Sequence, residues 1–376
     1  MKQLNVLLIA ALALTFGCRK SNVTNKDLRD FTQVNLVDNN GEYHATHTDP
    51  TLMNAWGLAF SSGGTAWVNS QAGHVSEVYT ADGALVPARP AVRIPSPTDT
   101  MGGLPTGVVF AGGKGFRLSN GGTAAFIFVG VDGVLSGWNG AAGNNAIRMK
   151  DLSSTSAFTG LAISSWGTNN YIYAADFRGG KILVWDTGFA PVSMPFHDPG
   201  IPSGYSPFNI QAVGTWLFVT YAKVGPDGED QAGLGNGFVS IFKPDGSFVR
   251  RFASSGPLNS PWGVTVAGNN FLEDNDMAEG DDDMDDHGGS GKGGHHHQDL
   301  DSVMLVGNFG DGRINAYSLN GRFLGQLQSH KHTIVIEGLW ALSFAPTTST
   351  VDQRRLYFTA GPDDEKDGLF GYLIKQ

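Results

Sequence analysis

The chain has 376 residues, of which 52 are Gly and only 16% are charged, and its formal net charge is −10. This length can bury a large core in one or two domains, and so much Gly is typical of many tight turns between short elements. Eleven acidic residues and one Lys lie between Phe271 and Asp301, so the rest of the chain is close to neutral. Because no basic stripe remains to contact phosphates, we expect no nucleic-acid binding.

The first segment is typical of a lipoprotein signal peptide. An apolar stretch from Leu4 to Phe16, too short to span a bilayer, ends in Thr-Phe-Gly-Cys. This ending is similar to a bacterial lipobox, in which residues 1–17 are removed and Cys18 is acylated. An ordinary signal peptide cut nearby is the alternative, and both interpretations predict export. We expect residues 18–30 to form a polar tether, with the lipid as the only membrane attachment and the outer membrane of the cell envelope as the location.

A pattern of a small or aromatic residue, Gly and alternating apolar residues recurs along the chain. Its six copies are NAWGLAF (54–60), PTGVVF (105–110), FTGLAI (158–163), PFNIQAV (207–213), SPWGVTV (260–266) and LWALSF (339–344). They are separated by 50, 53, 49, 54 and 78 residues, and the long step contains the acidic tract. Second, third and weaker fourth β-type runs follow each copy, divided by Gly, Asp and Asn. The sequence therefore predicts an all-β fold, a six-bladed β-propeller of four-stranded blades over residues 31–376.

The two ends of the propeller are complementary. The sixth unit stops after its third strand, GLFGYLI at 368–374, and a spare strand, DFTQVNLVD, stands at 30–38. We expect this N-terminal strand to pair with the C-terminal blade, because the pairing covers two sheet edges that would otherwise be exposed. The recurring motif is then the innermost strand of each blade. We expect its tryptophans, Trp56, Trp262 and Trp340, to pack between blades rather than to bind a ligand.

In a four-stranded meander, the fourth-to-first and second-to-third connections leave the blade on the same face. That face is the predicted channel mouth, and it is where a ligand would bind. The candidate mouth residues are polar residues of these connections together with two residues expected near the axis: His44, His47, Asp49, Asn54, Asp176, Asn209, Asn308, Asp311 and Glu337. The alternative is that Asp and Asn in such Gly-rich turns cap the backbone and bind nothing.

Two subsets of these residues suggest specific chemistry. Oxygen ligands suit Ca²⁺, so Glu337, Asn209, Asn308 and Asp176 are candidate ligands for a cation near the axis. No cofactor is required by the sequence, and calcium is the one we consider. His44 and His47, three residues apart and followed by Asp49, could be metal ligands or a general base with its orienting acid. The alternative for this segment is an exposed loop that begins a turn at Asp49-Pro50.

The acidic tract at 271–301 falls between the first and second strands of the fifth blade, on the face opposite the mouth. Its composition cannot support a core, so we expect a disordered insertion. It lacks the spacing and the closing Glu of an EF-hand. Four histidines, His287, His295, His296 and His297, could collect transition metals weakly. A solvated insertion tolerated on a loop is the favoured interpretation.

Several blocks resemble an uncharacterised family of secreted bacterial propeller proteins. The blocks are NAWGLAF, SPWGVTV, LVGNFGDGRIN and LYFTAGP, and the resemblance covers roughly residues 31–372. More distantly, the chain is similar to NHL-repeat propellers and to gluconolactonase-like hydrolases, which hold one divalent cation at the axis. This second resemblance implies a metal site, but the motif of that group does not match position by position. The resemblances assign no catalytic residue.

Two functions remain open. The favoured one is a lipid-anchored, monomeric binding module that presents its mouth to a protein, peptide or glycan. The alternative is a Ca²⁺-dependent hydrolase of the lactonase type, in which the ion would polarise a carbonyl. The sequence has no GxSxG, HExxH or P-loop motif. We therefore expect binding rather than catalysis.

Overall fold

The computed structural model describes residues 28–87, 91–272 and 302–376. The N-terminal strand β1 (Phe31–Asp38) is followed by a short strand β2 (His47–Thr48) that pairs with it in parallel. Cys18, the signal peptide and the loop histidines lie outside the described residues. No helix in the described ranges has the length and hydropathy needed to cross a membrane.

The strands that follow form the first five blades in chain order. Blades 1 and 2 are β3 (Ala55–Phe60), β4 (Ala66–Ser70), β5 (Val75–Tyr79), β6 (Val92–Arg93), β7 (Pro105–Phe110), β8 (Phe126–Gly130), β9 (Val134–Trp138) and β10 (Ile147–Asp151). Blades 3 and 4 are β11 (Phe158–Trp166), β12 (Asn169–Asp176), β13 (Lys181–Trp185), β14 (Tyr205–Val213), β15 (Trp216–Lys223), β16 (Gly237–Phe242) and β17 (Phe248–Ser254). Blade 5 is β18 (Pro261–Ala267), β19 (Val303–Asn308), β20 (Ile314–Ser318) and β21 (Phe323–Gln326).

A small hairpin, β22 (Gln328–Ser329) with β23 (His332–Thr333), leads to blade 6, which is β24 (Leu339–Ser343), β25 (Leu356–Ala360) and β26 (Leu369–Lys375). Three short helical turns complete the elements: a 3₁₀ turn (Gly140–Ala142), α1 (Asn269–Leu272) and α2 (Pro362–Glu365). All neighbours within a blade pair antiparallel. The protein is therefore the six-bladed β-propeller that the period predicts.

The predicted ring closure is confirmed. β1 pairs antiparallel with β26 from Phe31 opposite Lys375 to Asp38 opposite Leu369, with one bulge between Asn35 and Val37. β1 is thus the outer strand of blade 6, and the first and last segments of the propeller share one sheet.

The buried apolar side chains of the described residues form seven clusters. Six of them each join one blade to the next around the ring, and the last of the six joins blade 6 to blade 1. The seventh lies on the axis and contains Trp56, Trp262 and Trp340. The three tryptophans are buried, as expected, but they pack together around the axis rather than within the layers between blades.

Two details differ from the sequence interpretation. The fourth strand of blade 3 is reduced to one bridge between Trp185 and Pro191, because residues 189–196 contain two prolines, Pro191 and Pro195, which have no N–H to donate to a ladder. Disorder is predicted for 271–301 and is wrong for the first two of these residues, whereas residues 273–301 lie outside the described ones. Phe271 and Leu272 lie in α1 and are buried, and Phe271 stacks on Phe31 with 4.7 Å between ring centroids.

We call the pairing of β1 with β26 the seam, and a substitution at Phe31 tests its contribution to stability. Replacing it with Ala removes a fully buried ring from β1 and should lower the free energy of unfolding by about 3–5 kcal/mol. Thr32→Ala, a partly exposed neighbour on the same strand, is the matched control and should cost about 1 kcal/mol or less. Urea denaturation followed by tryptophan fluorescence measures both. Equal losses for the two variants would contradict the assignment of the seam.

Candidate functional site

A cavity with a volume of about 750 Å³ opens on the axis at the predicted mouth. Fourth-to-first connections and second-to-third connections both contribute to its wall, as a four-stranded meander requires. Its main side chains are Trp56, Gln71, Val131, Thr159, Phe177, Phe208, Glu229, Asp230, Ala232, Phe309, Asp311, Val335, Glu337, Trp340, Asp364 and Glu365. We call this space the mouth cavity.

Stacked aromatic rings form the floor of the mouth cavity. The rings of Trp56 and Trp340 lie 3.6 Å apart, centroid to centroid, at an interplanar angle of 14°. Phe309 stacks on Trp340 at 3.9 Å and 18°, and Phe208 packs beside Trp340 at 5.8 Å. Trp56, Phe208 and Trp340 each precede the residue on which the repeats align. Three of the floor rings therefore come from the repeated motif.

A second axial cavity, of about 360 Å³, opens from the far ends of the inner strands. It shares no lining residue with the mouth cavity, and its wall is formed largely by glycine and apolar side chains such as Phe60, Phe110 and Phe344. Asn209 and Gln211 are its amide side chains. The charged side chains near the axis are therefore concentrated at the mouth.

Six carboxyl groups surround the aromatic floor: Glu229, Asp230, Asp311, Glu337, Asp364 and Glu365. No Lys or Arg is among the lining residues. Asp311 lies near Arg313, with 3.8 Å between Oδ2 and Nη1, and the other five form no ion pair with any described residue. The wall is therefore strongly acidic.

Two of the acids stand on a strained turn. Asp363, Asp364 and Glu365 have φ values of 53°, 53° and 65° in succession, which is the left-handed region that L-residues rarely occupy. Asn54 fixes this turn to the floor: its Nδ2 donates to Glu365 Oε2 at 2.6 Å, and its Oδ1 accepts from Trp340 Nε1 at 2.9 Å. Such strain persists where surrounding contacts impose it, and it concentrates at functional sites.

Burial raises the pKa of two of these carboxyl groups. Desolvation is the main cause for Glu365, opposed by the hydrogen bond from Asn54 and reinforced by the negative charges of Asp230 and Glu229. Desolvation also raises the pKa of Asp230, with further contributions from Glu229 and Asp227. The carboxyl groups of the wall therefore repel one another inside a partly water-excluded space.

Three of the nine predicted site residues belong to the mouth cavity. Asp311 and Glu337 line it, and Asn54 braces Trp340 and Glu365. Glu337 also accepts a hydrogen bond from the backbone N–H of Asp363 at 3.2 Å. Whether these residues bind a ligand stays a prediction.

The four candidate metal ligands do not form one donor set. Asp176 is fully buried, and its carboxylate accepts hydrogen bonds from Ser156 and from backbone N–H groups of its own turn. Asn209 lines the far cavity and donates to Trp262 O at 2.8 Å, and Asn308 donates to Pro257 O at 2.8 Å. Only Glu337 faces the mouth, and no group of three His, Cys, Asp or Glu side chains in the described ranges is arranged as metal ligands. These residues do not fit the axial metal site implied by the resemblance.

The segment that contains His44, His47 and Asp49 pairs with β1 at the seam, and its three side chains do not form one site. His44 is exposed with φ of 53°, and His47 lies in β2. Asp49 is buried, and its carboxylate accepts from Tyr79 Oη at 2.9 Å and from Thr51 Oγ1 at 2.6 Å. Its turn-forming role matches the alternative considered for this segment.

The sequence interpretation missed Glu229, Asp230 and Glu365. Glu229 and Asp230 lie in the connection between β15 and β16, which is a second-to-third connection and so obeys the rule that selected the other candidates. Its sequence, VGPDGEDQAGLGN, is longer than the short Gly turns that drew notice. Glu365 follows the two aspartates of the blade 6 turn, and nothing in the sequence marks its left-handed backbone.

No protein-family model matches the chain. Uncharacterized protein R648 of Acanthamoeba polyphaga mimivirus is 31% identical over 98% of this chain and 84% of its own length. Uncharacterized protein L690 of the same virus is 31% identical over 96% and 88%. These relatives are viral, so they give no support to the bacterial, secreted family expected from the sequence.

Solved structures resemble the fold at low identity. A streptogramin B lyase superposes with a TM-score of 0.48 and 11% identity over 91% of this chain and 97% of that chain. The gluconolactonase XC5397 of Xanthomonas campestris superposes with a TM-score of 0.45 and 13% identity over 86% of each chain. At these TM-scores and identities neither activity is transferred to this chain.

A buried acid beside Asp49 generates a pH prediction. Thr51 Oγ1 lies 2.6 Å from Asp49 Oδ1 and 2.5 Å from Glu77 Oε1, and one hydroxyl proton cannot serve both. Burial raises the pKa of Glu77 from 4.5 to about 7, opposed by the Thr51 hydrogen bond and reinforced by Asp49. Below that pH the neutral Glu77 donates to Thr51, which donates to Asp49.

Because the folded-state pKa of Glu77 is raised, its contribution to stability is complete below about pH 4.5 and is lost as the pH rises through about 7. Relative to Glu77→Gln, the wild type should therefore lose about 3 kcal/mol between those pH values. Denaturant unfolding of both proteins across this range measures the difference. Glu42→Gln, an exposed acid of the same link, is the control. Parallel stability profiles for wild type and Glu77→Gln would refute the assignment.

Proposed function

We propose that this chain, which belongs to the same family as the uncharacterized proteins R648 and L690 of Acanthamoeba polyphaga mimivirus, is a binding module that captures its ligand in the mouth cavity. The observation that carries the proposal is a preformed space of about 750 Å³ with stacked aromatic rings at its base. Ligand sites have volumes of roughly 300–1,000 Å³ and combine apolar walls with a few convergent polar groups. The mouth cavity has both properties.

Rigidity of the floor supports binding. Trp340 is held by its stack on Trp56 and by its hydrogen bond to Asn54, so its ring is already ordered before a ligand arrives. Because immobilising side chains on binding costs free energy, a floor fixed in advance favours affinity. The ligand is a small molecule, or a group of similar size that projects from a protein, peptide or glycan.

The lactonase-type hydrolase stays the alternative prediction. Its axial metal would need a converging donor set, and the carboxylate of Asp176 and the Oδ1 of Asn209 already accept structural hydrogen bonds. We derive no catalytic step through such a metal.

Lipid anchoring is a separate part of the proposal, and it rests on the sequence around Cys18 alone. In a bacterial host that processes lipoproteins, the full chain should incorporate radiolabelled palmitate and sediment with the membranes, and Cys18→Ala should abolish both. A labelled Cys18→Ala protein, or an unlabelled wild type, would show that the segment is not a lipobox.

Removing one ring from the floor tests the binding proposal. The ligand search is a screen of neutral, anionic and cationic compounds of matched size, using ligand-observed NMR with the soluble propeller. Phe309→Ala should weaken any saturable binding about tenfold or more, because it opens the stack on Trp340 and removes apolar contact area.

Phe323→Ala is the matched control, since Phe323 is 43% exposed on the outer strand of blade 5 and should leave binding unchanged. Binding that survives Phe309→Ala, or a complete absence of saturable binding, would overturn the proposal. Lactone turnover together with a stoichiometric metal that EDTA removes would establish the hydrolase instead.

A further inference from the structure

We propose that the ligand of the mouth cavity is an organic cation that also carries an oxygen acceptor, such as a hydroxyl-bearing ammonium compound. This inference rests on the proposed binding function and names its ligand class. The charge of the wall, the aromatic floor and two unpartnered polar groups each point to it.

The wall selects positive charge. Its six carboxyl groups are not balanced by a lining Lys or Arg, and five of them form no ion pair within the described ranges. A concave wall of one sign attracts the opposite charge and concentrates it. A neutral or anionic ligand would leave these carboxyl groups to repel one another, whereas a cation relieves the repulsion.

The floor favours an organic cation over a metal ion. Trp56 and Phe309 stack on Trp340, which is 1% exposed, and the aromatic rings that line the cavity attract ammonium and guanidinium groups through the ring quadrupole. A metal ion would instead need oxygen or nitrogen ligands at short and regular distances, and the acids of the described residues are not grouped in that way. Ala232 and Val335 add apolar surface for the body of the ligand.

Besides Asp230, whose Oδ2 is buried without a hydrogen-bond partner, two lining residues have buried polar atoms that are unpartnered. Trp56 and Thr159 are each 5% exposed, and neither Trp56 Nε1 nor Thr159 Oγ1 has a hydrogen-bond partner. A buried donor left unpaired costs free energy, so such groups in a native cavity call for a partner that the ligand can supply. An indole N–H can only donate, and its partner must therefore be an acceptor.

The turn at Asp363–Glu365 provides a matched pair of variants. Asp364 lines the mouth cavity, whereas Asp363 does not and instead pairs with Lys366, with 3.2 Å between Nζ and Oδ2. Both have left-handed backbone angles, which Asn tolerates as well as Asp does. Asp364→Asn and Asp363→Asn thus remove the same charge from adjacent positions of one turn.

Choline is the probe, because it combines a trimethylammonium group with a hydroxyl. Its neutral carbon isostere, 3,3-dimethylbutan-1-ol, is the ligand control. Titration of the soluble propeller, followed by tryptophan fluorescence, should show choline binding at least tenfold more tightly than the isostere. The affinity should fall with rising salt, because exposed charges are screened.

Asp364→Asn should weaken choline binding about fivefold or more, and Asp363→Asn should change it less than twofold. Glu229→Gln, on a separate loop, repeats the test should Asp364→Asn fail to fold. Equal affinity for choline and the isostere, absence of choline binding, or equal effects of the two Asn variants would overturn the cation inference. Library binding that survives Phe309→Ala, or no saturable library binding at all, overturns the binding function, whereas saturable binding of a neutral or anionic compound that Phe309→Ala weakens overturns the cation inference alone, so the two failures are distinguishable. Displacement of choline by millimolar Ca²⁺ at a one-to-one stoichiometry would assign the acids to a metal and also overturn it.

Discussion

Six strands approach the axis so closely that the position on which the repeats align has no room for a side chain in most blades. A Cβ on Gly57 would lie 2.1 Å from Thr106 O, and one on Gly107 would lie 2.6 Å from Leu161 N. A Cβ on Gly160 would lie 2.1 Å from Asn209 Oδ1. The glycine therefore sets the radius of the ring, and the residue before it is placed at the mouth end of the axis. The aromatic floor is a consequence of the same packing constraint that closes the propeller.

The sequence predicted the fold because that constraint repeats. A period near 50 residues, with glycine at the aligned position in four of the six inner strands, was enough to count the blades and to pair Phe31–Asp38 with the last strand. The meander rule then placed Asn54, Asp311 and Glu337 at one end of the axis without any knowledge of coordinates. The rule was not applied to the long connection that contains Glu229 and Asp230, and six of the nine residues predicted for the mouth do not belong to the mouth cavity.

Side-chain roles could not be read in the same way. Asp176 and Asp311 both follow a second strand in a Gly-containing turn, yet the first is fully buried on its own turn and the second lines the cavity. Both carboxylates accept hydrogen bonds from neighbouring backbone N–H groups, so what separates them is burial, which depends on backbone geometry rather than on residue type. The left-handed backbone at Asp363–Glu365 is equally invisible in the sequence, because no glycine marks it.

Hydrogen bonds connect the seam to the mouth cavity. Asp38 at the end of β1 is fully buried and accepts hydrogen bonds from the N–H groups of Gly41 and Tyr43, so the link that follows is held against the closing strand. Tyr43 in turn donates to Asp367 Oδ2 at 2.7 Å, and the Asp367 carbonyl accepts from the N–H of Asn54 at 3.0 Å.

Asn54 then holds both a floor ring and a wall acid, so one continuous set of hydrogen bonds runs from the closing strand to the mouth cavity. Most carboxylates in the turns of this protein are satisfied by their own backbone, as Asp38 and Asp176 are. The acids of the wall are different, because they are gathered from four separate connections and five of the six form no ion pair with a described residue. Folding alone gives no reason to collect like charges over stacked rings and to hold two of them on a strained turn. The organic cation that we propose as the ligand would account for this arrangement.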